Sequence, residues 1–192
     1  MIDHDGAPDG WRFCQDLTST LHAQRPASLH HAEYWEVNPS IVAPPPVGAG
    51  FDTTLTDGLR IAIRDVIGSA GAPDERPLPM SRLARSLWPE GFTESWRFVQ
   101  GPENHDIVYN GRELRIARLG DPDHPRSWFA RSRARVATGL SLTAPGIPML
   151  FMGQEFLEDK QWSDDFESHR DLLLYWAGLD QASGLERQPP CR

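Results

Sequence analysis

The sequence contains almost no lysine. Lys160 is the only lysine among 192 residues, so arginine carries nearly all of the positive charge, and the formal net charge is −8. The arginines are scattered along the chain and form no basic block. Because nucleic-acid binding relies on clustered Lys and Arg that contact phosphates, we expect no nucleic-acid partner.

Cysteine is also scarce, with Cys14 and Cys191 as the two residues of this type. This pair gives neither a disulfide framework nor a metal-ligand spacing. Cys14 falls in a helical pattern, and we expect it to be a small core residue. A chain without a disulfide framework suits a reducing compartment, so we expect a cytoplasmic location.

The first residues of the sequence have neither a basic segment nor an apolar run, so we expect no secretory signal. Residues 136–154 contain no charged residue and approach the length of a membrane-spanning helix. Pro145 and Pro148 would break such a helix. We therefore expect a core helix, a turn and a buried strand here, and no membrane partner.

Helical and strand patterns alternate along the chain. Trp11, Cys14, Leu17 and Leu21 recur at helical spacing, with Asp9 and Gly10 as candidate caps. Further helices are expected at 56–67, 80–87, 129–142 and 171–178, and residues 111–127 are expected to form a loop that can include a short helix. Four buried strands are expected, over 27–32, 48–52, 95–99 and 148–152. This alternation predicts an α/β fold of parallel β/α units.

A complete (β/α)₈ barrel needs eight strands and about 250 residues, and its active site lies at the carboxyl ends of the strands. Four strands predict half of such a barrel. Polar residues follow each of them, which marks the strand ends as the place to look for a site.

Three of these strand ends carry distinctive blocks. Ala-Glu33-Tyr-Trp follows the first strand, Asn104-His-Asp106 the third and Gly153-Gln-Glu155 the fourth, with Gly48-Ala-Gly-Phe-Asp52 in between. In this order and spacing the blocks resemble the α-amylase superfamily, glycoside hydrolase family 13, and most of all its 1,4-α-glucan branching enzymes. The resemblance implies a partial TIM (β/α)₈ barrel, roughly strands 5 to 8 with their helices, over residues 1–180. Residues 181–192 are expected to be a disordered tail.

The resemblance also implies roles for individual residues. Retaining cleavage of a glycosidic bond needs two carboxyl groups, one as nucleophile and one as acid and then base. Glu33 matches the family's general acid/base, and Asp106 matches the aspartate that stabilises the transition state. His105 and Asn104 match sugar-binding positions, and Trp35 is a candidate stacking platform. The implied substrate is an α-glucan of the glycogen or starch type.

One element of the family pattern is missing. The family's nucleophile is an aspartate in an Arg-x-Asp context, and no arginine in this sequence has aspartate two positions later. The block Asp-x-x-x-Asn-His is also absent, because Gln100 precedes Asn104 at that spacing. We therefore expect the chain to begin downstream of the nucleophile and to be inactive alone. A complementing N-terminal half is one expected partner.

Several alternatives stay open at this point. The chain is also compatible with part of an α-amylase-type or trehalose-releasing hydrolase, or with a non-catalytic glucan-binding remnant. No organic cofactor is implied, and we assign no metal to His30 and His31. The acidic run Glu155, Glu158, Asp159, Asp164 and Asp165 is expected to be a solvated loop and not a calcium site. The other tryptophans are expected to lie mostly in the core: Trp88, Trp96, Trp128, Trp162 and Trp176.

Overall fold

The computed structural model describes residues 8–72, 77–174 and 176. They divide into two compact units. The first unit lies within Met1–Leu59, Arg85–Gln100 and Pro145–Ile147, and the second within Arg60–Ala84, Gly101–Ala144 and Pro148–Arg192. The predicted tail 181–192, with Cys191, lies outside the described residues.

Nine helices and strands follow one another in the described residues. In chain order they are α1 (Pro8–Gln24), β1 (His31–Ala32), β2 (Thr53–Leu55), α2 (Gly58–Gly71), α3 (Met80–Ser86), β3 (Phe98–Gln100), α4 (Ile116–Gly120), α5 (Trp128–Thr143) and β4 (Ile147–Pro148). Two 3₁₀ turns lie between these elements, at Pro39–Ile41 and Ser95–Arg97, and two follow β4, at Gln154–Phe156 and Arg170–Leu172. The predicted α/β class is confirmed.

The four strands form one sheet in the order β1-β2-β3-β4. β1 and β2 run parallel, with His31 opposite Thr53 and Ala32 opposite Thr54. β2 and β3 are also parallel, with Thr54 opposite Phe98 and Leu55 opposite Val99. Neighbouring strands in sequence are therefore neighbours in space, as in successive β/α units.

The strands are shorter than predicted and three of them begin later. Residues 27–29 are exposed and leave α1 through a turn in which Ser28 N donates to Arg25 O at 2.9 Å, so the prediction of a buried strand there was wrong. Residues 48–50 form a loop closed by backbone bonds, including Ala49 N to Ser40 O at 2.9 Å. These local bonds occupy the backbone groups that a strand would need for pairing.

The helices follow the predicted pattern more closely. α1 begins at Pro8, so Asp9 lies in its first turn and does not precede it as a cap. α4 lies inside the predicted loop 111–127. Of the predicted last helix, residues 171 and 172 lie in the 3₁₀ turn Arg170–Leu172, residues 173 and 174 are not helical, and residues 175 and 177–178 lie outside the described residues.

In the uncharged stretch 136–154 the predicted order of helix, turn and strand is confirmed, but the prediction of a buried strand was wrong, because Ile147 is half-buried and Pro148 is exposed. α5 ends at Thr143, Gly146 takes a left-handed φ of 105°, and β4 follows. A side-chain Cβ at Gly146 would lie 2.6 Å from the Phe98 ring, so this turn needs glycine. Within the part of the chain that the structure describes, we find no helix with the length and apolar character needed to cross a membrane.

Each unit has its own core. In the first unit Phe98 is fully buried with Val42 and Phe92, and Cys14 is buried as predicted. In the second unit α4 packs on α5, whose buried face consists of small residues: Ala130, Ala134, Ala137 and Ser141. Small side chains let the two helix backbones approach closely, as at Gly120 beside Ala130.

The tryptophans depart from the core prediction. Four of them are exposed: Trp88, Trp96, Trp128 and Trp176. They make individual ring contacts at the surface, as where Arg97 lies 3.9 Å above the Trp96 ring or Trp128 meets Phe129 edge-on at 5.2 Å. Through such contacts a large ring removes part of its apolar surface from water without entering the core. Trp162 is half-buried.

Candidate functional site

Glu33 and Trp35 lie in the first unit, directly after β1. Tyr34 N donates to Ala32 O at 3.1 Å, and Asp57 N donates to Trp35 O at 3.1 Å, so the backbone on either side of the short loop is tied down. The Glu33 side chain is exposed and Trp35 is half-buried. Burial lowers the pKa of His31, and the charge of Glu33 opposes that shift. The first unit thus presents a carboxylate at the end of a strand.

The predicted Asn104, His105 and Asp106 lie in the second unit, in the loop that follows β3. Glu103 at the start of this loop is fully buried with Arg115, each with a side-chain exposure of 1%. Arg115 Nε donates to Glu103 Oε2 at 2.8 Å, and the backbone N–H of Ile116 donates to Glu103 Oε1. Arg115 also donates to the carbonyl of Met152 at 3.1 Å. This buried ion pair joins the start of the loop to the start of α4.

A second arginine supports the same segment. Arg64 donates to the carbonyls of Pro102, at 3.4 Å, and of Leu114, at 2.5 Å, and its Nε lies 2.5 Å from Glu113 Oε2. Burial lowers the pKa of Arg64, while the charges of Glu113 and Glu103 raise it. The loop therefore has a fixed frame of charge-assisted hydrogen bonds to its backbone.

Asn104 is buried and its side chain serves the loop itself. Its Oδ1 accepts the backbone N–H of Ile107 at 2.9 Å, and its carbonyl accepts the N–H of Val108 at 3.2 Å. This is the local side-chain-to-backbone bond by which asparagine stabilises turns. The described contacts of Asn104 shape the loop, and its predicted contact with sugar stays a prediction.

His105 and Asp106 have exposed side chains on this fixed loop. Their side-chain exposures are 55% and 47%, and His105 Nε2 lies 3.8 Å from Asp106 Oδ1. The indole N–H of Trp162 donates to the carbonyl of His105 at 2.5 Å, and Arg112 donates to the carbonyl of Asp106 at 3.1 Å. The backbone of both residues is thus held by neighbours while imidazole and carboxylate face solvent.

The Gly153–Glu155 block forms a tight turn after β4. Gly153 has a left-handed φ of 86°, and a Cβ there would lie 2.8 Å from the Cβ of Glu158. Gln154 is buried and donates to Thr138 Oγ1 at 3.0 Å, which ties the turn to α5. Glu155 is exposed.

The acidic run after this turn is only partly solvated, so that prediction was wrong for two residues. Glu158 and Asp159 are buried. Glu158 accepts the backbone N–H groups of Asp159 and Lys160, both at 3.0 Å, and Asp159 lies between Arg118 and Arg126, at 3.9 and 3.7 Å. Asp164 and Asp165 are exposed, as predicted.

The structure brings His105 and Asp106 together in the second unit and places Glu33 and Trp35 in the first. Sequence reasoning missed the buried residues Glu103 and Arg115 and the indole of Trp162. The available signal was weak: a glutamate directly before Asn104 and an arginine twelve residues after that glutamate. Chemically, the described groups offer a carboxylate at each of two strand ends and an imidazole for hydrogen bonds to hydroxyls.

Comparison with known proteins gives a consistent result. No protein-family model matches the chain. The chain is 30% identical over 172 residues to the 1,4-alpha-glucan branching enzyme GlgB of Chlamydia muridarum, which is 86% of this chain and 21% of that enzyme. It is 29% identical over 173 residues to GlgB of Marinobacter nauticus, and 29% identical over 174 residues to GlgB of Geobacillus stearothermophilus. These matches cover 87% and 85% of this chain.

The chain spans about a fifth to a quarter of the length of these curated relatives. The likeness thus extends over most of this sequence and over a minor part of each relative. It confirms the resemblance read from the Glu33, Asn104–Asp106 and Gly153–Glu155 blocks: this chain is similar to one part of the bacterial 1,4-alpha-glucan branching enzymes.

Proposed function

We propose that the chain supplies the acid/base and the stabilising carboxylate of an α-glucan branching site, as strands 5 to 8 of a (β/α)₈ barrel within residues 1–180. The similarity to branching enzymes supports the reaction class. The four-stranded sheet with sequential order supports the barrel segment. Glu33 directly follows β1, and Asn104–Asp106 begin four residues after β3, which are strand-end positions of the kind that carry catalytic groups in this fold.

The proposed chemistry is a double displacement. Glu33 protonates the glycosidic oxygen of an α-1,4 bond as the bond to C1 breaks. A nucleophilic carboxylate, which no Arg-x-Asp in this sequence supplies, forms the glycosyl intermediate. Glu33 then takes the proton of an incoming 6-hydroxyl, which attacks C1 and gives an α-1,6 branch. Asp106 stabilises the positive charge that develops on the sugar ring in both steps.

The observation that carries this proposal is the frame around His105 and Asp106. Their backbone is fixed by Trp162 and Arg112, and the loop start is fixed by buried Glu103, while their side chains stay exposed. Groups that are held in place before substrate arrives stabilise charge without a reorganisation cost. In this proposal His105 and Asn104 contact sugar hydroxyls, and Trp35 stacks on a ring face.

Complementation tests the proposal. The 192-residue chain is assayed for α-1,6 linkage formation from amylose by proton NMR, alone and after mixing with a polypeptide that carries strands one to four of a branching enzyme, including its Arg-x-Asp. We expect no turnover by the chain alone and branching after mixing. Glu33→Gln is expected to lower the rate on the order of 10²–10⁴-fold, as for loss of a general acid/base, and Asp106→Asn is expected to abolish branching.

Glu167→Gln is the matched control, since Glu167 is an exposed carboxylate paired with Arg170 at 2.9 Å. It should leave branching unchanged. If the mixture formed new reducing ends without α-1,6 linkages, the reaction would be amylase-type hydrolysis and not branching. Failure to branch together with failure to bind amylose in affinity electrophoresis would refute the proposal.

A further inference from the structure

A cluster of two imidazoles and one carboxylate lies in the first unit, outside the proposed glucan site. His22 is in the last turn of α1, His30 directly precedes β1 and Asp52 directly precedes β2. One donor atom from each lies within 4.8 Å of the other two. His22 Nε2 is 3.0 Å and His30 Nδ1 is 3.8 Å from Asp52 Oδ2. From this cluster we infer a binding site for a divalent transition-metal ion of the zinc class.

The contacts of His30 Nε2 assign the tautomer of its neutral ring. Ser28 Oγ donates its one hydrogen to the carbonyl of Arg25 at 2.7 Å. The same hydroxyl lies 2.8 Å from His30 Nε2, so it accepts the Nε2–H there. The neutral imidazole therefore keeps its lone pair on Nδ1.

That lone pair has no hydrogen-bond partner. His30 Nδ1 is a buried atom without a donor, and it lies 3.8 Å from a carboxylate oxygen that also carries lone pairs. A buried acceptor without a donor is costly. Asp52 Oδ2 already accepts the backbone N–H of His30 at 2.8 Å, so the group in need of a partner is Nδ1. A cation placed between Nδ1 and the carboxylate supplies that partner, and Ser28 then acts as the outer partner that orients a metal-bound histidine.

The distances suit a small tetrahedral ion. Zinc bonds to nitrogen and oxygen ligands of about 2.0–2.1 Å give ligand-to-ligand distances of about 3.3 Å. The separations of 3.0 and 3.8 Å lie on either side of this value. Two imidazoles favour zinc-class ions over calcium and magnesium, which prefer oxygen ligands. Three protein ligands leave one position for water.

The surroundings permit entry and retention of an ion. Side-chain exposure rises from 12% at His30 to 22% at Asp52 and 37% at His22, so the site is open on the His22 side. The two imidazole rings lie 4.4 Å apart between centroids. Arg97 donates to the backbone carbonyl of Asp52 at 3.3 Å and not to its carboxylate. In this inference the ion joins the end of α1 to the amino ends of β1 and β2.

Zinc binding to the 192-residue chain tests the inference. Isothermal titration with Zn²⁺ alone should give one site per chain, and Co²⁺ should give the visible absorption of a tetrahedral complex. His22→Gln should weaken Zn²⁺ binding at least tenfold, and Ser28→Ala should weaken it about 10–100-fold as loss of an outer partner does. His124→Gln, which removes a highly exposed histidine of the other unit, is the control and should bind as the wild type does.

A second measurement separates the metal site from a plain hydrogen bond. Nitrogen-edited NMR of the imidazoles should show that Zn²⁺ removes the Nε2–H signal of His22 and keeps the Nε2–H signal of His30, which Ser28 accepts. Absence of Zn²⁺ binding, or equal binding by wild type and His22→Gln with unchanged imidazole signals, would overturn the inference. This readout needs only the folded wild-type chain, so it does not depend on the variants.

Discussion

The buried Glu103–Arg115 pair makes the sharpest prediction for stability. In Glu103→Ala the Arg115 guanidinium remains fully buried without its carboxylate, and the N–H of Ile116 loses its acceptor. The remaining contacts of Arg115 are the carbonyl of Met152 and the ring of Phe151 at 5.1 Å, and neither is charged. Removing one partner of such a buried pair costs about 3–5 kcal/mol.

This loss is large beside the whole free energy of unfolding, which is about 5–15 kcal/mol for a natural domain. Glu103→Gln should cost less, because an amide oxygen still accepts one of the two N–H groups. The double variant Glu103→Leu/Arg115→Met should recover most of the loss, since replacing both charges with apolar groups leaves no uncompensated ion. The recovery would show that the penalty comes from the orphaned charge.

Urea unfolding followed by far-ultraviolet circular dichroism measures these differences. Glu167→Ala is the control, because Glu167 and Arg170 form an exposed pair whose loss should cost less than about 1 kcal/mol. If Glu103→Ala cost no more than Glu167→Ala, the argument from the buried charge would be refuted. A double variant as unstable as Glu103→Ala would equally contradict it.

Three further predictions concern turns and caps. Ser127→Ala should destabilise the chain by about 1 kcal/mol in urea unfolding, because the Ser127 hydroxyl caps the first turn of α5. A hydrogen bond from the Ser127 hydroxyl is the main cause that holds the pKa of Asp121 below its usual range. The stability that Asp121 contributes should therefore be present above pH about 4 and be lost as the pH falls through the lowered pKa. If the free energy of unfolding fell equally with acid in wild type and Asp121→Asn, this prediction would be disproved. Gly146→Ala should lower the thermal midpoint far more than Gly111→Ala. Both glycines have a left-handed φ, but only at Gly146 would a Cβ meet the Phe98 ring. Equal midpoints of the two variants would contradict the packing argument.

The sequence predicted the order and type of the elements better than their limits. Hydrophobic periodicity placed α1, because a helix of several turns repeats the pattern, and helices were also predicted where α2, α3 and α5 lie. Strands of two or three residues are too short for a period to show, and their limits depend on the partner strand. The strand predicted from residue 48 does not begin there, because the N–H groups of residues 48–50 bond to carbonyls of residues 40, 43 and 44.

The burial of charged side chains could not be predicted from the sequence. Glu158 and Asp159 read as part of a solvated acidic run, but Asp159 lies between Arg118 and Arg126, more than thirty residues earlier in the chain. Glu103 likewise depends on Arg115. Such pairs are set by tertiary packing, which local composition does not encode. The exposed residues Glu33, His105 and Asp106 were predicted as site residues because their blocks resemble a known family.

The two-residue strand β1 lies between the candidate metal site and the candidate acid/base. His30 precedes it and Glu33 follows it, so about 10 Å of extended chain separates the candidate metal ligand from the candidate acid/base. β1 has only two residues paired with β2, and the Asp52 carboxylate adds a further tie by accepting the N–H of His30 at 2.8 Å. An ion on Asp52, His30 and His22 would strengthen that tie at the amino end of the strand. The ion is expected to make the segment that carries Glu33 more rigid and not to change the acid/base role of Glu33. Metal removal should therefore lower the free energy of unfolding of the chain and leave the roles of the carboxylates unchanged.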